Sequence, residues 1–112
     1  MKILKVEGKD YLVHYSINSL VRMEQETGKP FMAMFGDEDE GISVTALRDI
    51  IFYGLVSKQH NFKPVDAGNL IDTMISEGKS MTEISEMFLS ELTKALGMDT
   101  EEEKAEKAPG ED

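Results

Sequence analysis

The chain has 112 residues, enough for one compact domain with a modest core. It has no cysteine, which excludes disulfides and thiol nucleophiles and fits a reducing compartment. The formal net charge is −10 with no clustered Lys/Arg face to offset it, so phosphate backbones are repelled and nucleic acid is not an expected partner.

At the N-terminus the residues Glu7, Gly8, Lys9 and Asp10 interrupt the apolar run too early for a signal peptide. The longest apolar run, Ile50 to Val56, is far too short to cross a bilayer. A soluble cytoplasmic protein with no membrane partner is expected. Ile3 to Val6 and Tyr11 to Tyr15 are rich in β-branched and aromatic residues, and a Glu-Gly-Lys-Asp break separates them. This pattern predicts a β-hairpin over 2–15, with Gly8 at the first central position of a tight turn. A lone hairpin is barely stable in water, so it must pack on the rest of the chain.

A helix is expected over 18–27. Asn18 is the better N-cap, because its side chain can accept from the free N–H groups that follow, and Gly28 is the stop. Lys29-Pro30 prevents continuation and opens a short helical element over 30–35, ended by Gly36. Asp37-Glu-Asp-Glu-Gly41 reads as a polar loop. The helix over 43–57 carries Val44, Leu47, Ile50, Ile51, Phe52 and Leu55 around most of its circumference, so it should be central and buried. A weaker helix covers 65–77, with Leu70, Ile71, Met74 and Ile75 as its apolar face. The last helix, 81–96, opens with a capping box formed by Ser80 and Glu83.

The domain therefore spans 1–97. It is α+β but mostly α, an N-terminal hairpin followed by a small bundle of four to five helices. The segment 98–112 has no apolar period and carries seven acids against two lysines, so it reads as a disordered acidic tail holding half of the excess charge.

The chemistry-bearing residue types do not assemble into a catalytic or metal motif. Glu24 and Glu26 are two positions apart on a helix, so their carboxylates point about 200° from each other and cannot flank one substrate. Arg22 and Glu26, four apart, can pair on the surface. A calcium loop starting at Asp37 would need glycine at its sixth position and glutamate at its twelfth, and these are Ile42 and Arg48. His14 and His60 lack a partner at ligand spacing, no serine lies in a G-x-S-x-G elbow, and there is no glycine-rich phosphate loop. The sequence thus points away from an enzyme, and no cofactor or metal is expected.

Methionine is abundant, with eight in the chain. Most read as gap-fillers of a helical core, since the thioether is flexible and polarizable. Met32 and Met34 are the exceptions. They sit with Phe31 and Phe35 in an element too short to bury all it carries, so Phe31, Met32, Met34 and Phe35 are the candidate protein-binding residues.

The succession of KVEGKDYLVHY, SINSLVRMEQETGKPFMAMF, LRDIIFYGL, VDAGNLIDTMISEG and EISEMFLSELTKAL resembles the tail assembly chaperones of long-tailed bacteriophages and prophages. The resemblance covers roughly residues 1–97, and NSLVRMEQETGK and Phe52-Tyr-Gly-Leu55 are its most telling parts. It implies a non-catalytic role in the cytoplasm of the host bacterium and absence from the mature virion. The implied partner is the tape-measure protein, kept soluble while tail-tube subunits polymerise around it. The tube protein is an additional implied partner, and a homo-oligomer is compatible with this role. A small helical adaptor or regulator, or a structural tail component, are the other readings the residues leave open.

Overall fold

The structure is a computed structural model that describes residues 2–35 and 41–98, with Phe35 described by its backbone alone. Two short strands come first, β1 (Lys2–Val6) and β2 (Lys9–Val13). They pair antiparallel with Leu4 opposite Tyr11 and Val6 opposite Lys9, which leaves a two-residue turn. Both turn residues have positive φ, 50° at Glu7 and 76° at Gly8, as expected of a type I′ turn. Gly8 is thus the second central residue, not the first. The turn is the same length as expected but shifted by one residue, because the strands pair through to Val6 and Lys9 and so leave Glu7 and Gly8 at its centre. The Glu7 N–H donates to the Glu77 carboxylate at 3.0 Å, which ties the turn to a distant helix end.

Four helices follow: α1 (Ile17–Thr27), α2 (Val44–Leu55), α3 (Pro64–Ser76) and α4 (Met81–Ala95). A short 3-10 helix, Phe31–Phe35, stands between α1 and α2. The fold is α+β and mostly α, a hairpin followed by four helices, as the pattern of the sequence predicts. The acidic stretch Asp37 to Glu40, the Gly36 stop and the tail from 99 onward lie outside the described residues.

The start of α1 differs from expectation. Ser16, not Asn18, is the N-cap. Its Oγ accepts from the Ser19 N–H at 3.1 Å, and the Ser19 hydroxyl accepts from the Ser16 N–H at 2.8 Å. Two free donors are satisfied reciprocally by this pair, whereas Asn18 stands exposed within the first turn. Ser16→Ala is therefore expected to cost about 1 kcal/mol, and Asn18→Ala less than about 0.5 kcal/mol, in denaturant unfolding. Equal costs would put the cap back on Asn18. The α4 box forms as expected: Glu83 N–H donates to Ser80 Oγ at 3.1 Å, and Ser80 N–H donates to the Glu83 carboxylate at 3.0 Å.

Helix α2 is the axis of the molecule. It touches the other three helices, β2 and the 3-10 helix, and every residue from Ile50 to Leu55 is buried. Strict amphipathicity is lost there because the helix has neighbours on most sides. The hairpin lays Leu4, Val6 and Val13 onto this core, while Ile3 stays exposed on the outer face. Where β2 ends, the His14 N–H donates to the Gly54 carbonyl at 2.8 Å, and the buried Tyr15 hydroxyl donates to the Ile50 carbonyl at 2.6 Å. Burial, and after it the charge of Glu91, holds the Tyr15 pKa well above its ordinary value, so this hydroxyl stays a donor. No helix among the described residues is long and apolar enough to cross a membrane.

Candidate protein-binding site

The turn from α1 into the 3-10 helix is built by the punctuation between Gly28 and Pro30. Gly28 takes φ 74° and its N–H donates to the Glu24 carbonyl at 2.9 Å, which closes α1. The Glu24 carboxylate reaches past this stop and accepts the Phe31 N–H at 2.8 Å. The 3-10 helix is thereby clamped to the end of α1.

The candidate residues on this 3-10 helix have different fates. Met34 is 5% exposed and belongs to the core. Phe31 is half-buried against that core. Met32 is 58% exposed. The side chain of Phe35 lies outside the described residues. The structure therefore does not present Phe31, Met32, Met34 and Phe35 as one exposed patch. A 3-10 helix has three residues per turn, so one face of so short an element meets the core and the adjacent residue points away.

Beside this element, α1, the 3-10 helix and α2 enclose a cleft of about 570 Å³. Ala33, Met34 and Ala46 supply apolar lining, while Lys29, Arg48 and Asp49 place charges of both signs around it. Arg48 approaches Asp49 at 3.4 Å in an exposed pair. One wall is Tyr53, whose hydroxyl donates to the Glu26 carboxylate. Arg22 pairs with the same carboxylate at 3.0 Å, and its guanidinium stands 5.7 Å from the Tyr53 ring and 6.0 Å from the Phe52 ring. The sequence singled out Arg22 with Glu26 by their four-residue spacing. It had no signal for Tyr53, which arrives from another helix.

This trio is electrostatically coupled. Burial, then the hydrogen bond to Glu26, pushes the Tyr53 phenol up to about 12. The Tyr53 hydrogen bond, then that of Arg22, holds the Glu26 carboxyl below its ordinary value. The raised phenol contributes stability that is full below the ordinary value of 10.0 and is lost as pH rises through about 12. The lowered carboxyl contributes stability that is full above its ordinary value and is lost as pH falls through its folded value. Glu26→Gln is expected to bring the Tyr53 ionisation down towards, but not to, its ordinary value. The Tyr53 Cζ shift in carbon NMR would follow it, and an unmoved titration would mean that burial alone sets the phenol.

The other chemistry-bearing residues do not converge. Glu24 and Glu26 serve the Phe31 N–H and the Tyr53 hydroxyl respectively, so they share no substrate space. His14 stands beside Glu91 and Lys94 at one end of the hairpin, and His60 lines a different cleft near the hairpin turn. Among the described residues, no three His, Cys, Asp or Glu side chains are grouped to hold a metal ion. Ser16, Ser43 and Ser80 cap helices, and Ser85 bonds back to the Met81 carbonyl at 2.6 Å. What this region offers chemically is a contact surface: an exposed thioether, an apolar-floored cleft and a rim of mixed charge. No protein family, curated protein or solved structure matches the chain.

Proposed function

We propose that this chain is a tail assembly chaperone of a long-tailed bacteriophage or prophage. In this role it is non-catalytic, binds the tape-measure protein and keeps it soluble in the host cytoplasm while the tail tube assembles. The observation that carries the reading is the exposed Met32 next to the cleft floored by Met34. A flexible thioether beside an apolar floor suits a partner that repeats its helical contacts with imperfect periodicity. Charges of both signs on the rim would pair with the mixed charges of a long helix, and the overall charge of −10 would keep the complex dispersed. The resemblance of residues 1–97 to this family supports the same role.

The test is co-expression with the tape-measure protein from the same genome, read by size-exclusion chromatography with light scattering. Co-elution of soluble tape-measure protein with several copies of this chain supports the role and gives the density of coating. An insoluble tape-measure protein beside a folded, solitary chain overturns it and moves the adaptor reading ahead. Recovery of the chain from purified virions would instead make it a structural tail component.

A further inference from the structure

We draw no further inference here: the strongest candidate, the cleft of about 380 Å³ between the hairpin turn and α3, carries nothing because nothing in the structure shows what covers it.

Discussion

Gly54→Ala is expected to destabilise the protein by about 3 kcal/mol, at the upper end of overpacking costs. A Cβ at this position would stand 2.5 Å from the Tyr15 Cζ and 2.6 Å from its hydroxyl oxygen. Neither side can yield cheaply. The Tyr15 hydroxyl is held by the Ile50 carbonyl, and the Gly54 carbonyl is held by the His14 N–H, so ring and backbone are pinned on the same turn of α2. Gly54 is therefore the place where the hairpin exit docks on the central helix. The clash, and not helix propensity, is the cause, because alanine is the better helix former. A double-mutant cycle separates the two. In a Tyr15→Leu background the added methyl should cost less than about 1 kcal/mol, since the ring that it strikes is gone. Additive costs in urea unfolding would show that the steric account is wrong.

Met34→Ala is expected to cost about 2–3 kcal/mol, the range for truncating a buried methionine where the site cannot collapse fully. Met32→Ser, two residues away, should change stability by less than about 0.5 kcal/mol, because its side chain is already in water. The binding effects should run the other way. Met32→Ser should release the tape-measure protein from the co-eluting complex, while Met34→Ala should retain it at temperatures where the domain stays folded. Thermal unfolding and co-elution measured on the same two variants decide the matter. If Met32→Ser binds like the parent, the exposed thioether is not a contact and the cleft alone must serve.

These two positions show what a linear reading could and could not reach. Phe31 to Phe35 is legible as an apolar element too short to bury its own side chains, and the structure divides Phe31, Met32 and Met34 between core and solvent. Which of them points inward depends on the 3-10 geometry and on the clamp from Glu24 to the Phe31 N–H. Neither leaves a mark on apolar spacing. The N-cap of α1 was misplaced for a similar reason. Asn18 is a strong capping residue by type, but Ser16 and Ser19 satisfy two donors where one side chain at 18 would satisfy one. The α4 cap, by contrast, was read correctly, since Ser80 and Glu83 form a local box whose partners are three residues apart.

The sequence by itself determined the elements and their order. Alternation over the first 15 residues, helical spacing over four later segments, and Gly, Pro and Ser at the boundaries are local signals, and local hydrogen bonding realises them. It also determined that α2 is central, because apolar residues around most of its circumference need neighbours on most sides. The tertiary structure alone decided the contacts between elements. The Tyr15 ring against Gly54, the Tyr53 hydroxyl on Glu26, and the Glu7 N–H on the Glu77 carboxylate join residues 39, 27 and 70 positions apart. Such pairs follow from how the twisted hairpin and the helices settle on one another, and close packing allows few arrangements of a given set of side chains. The candidate protein-binding site lies at such a junction, which is why it cannot be read from one segment of the chain.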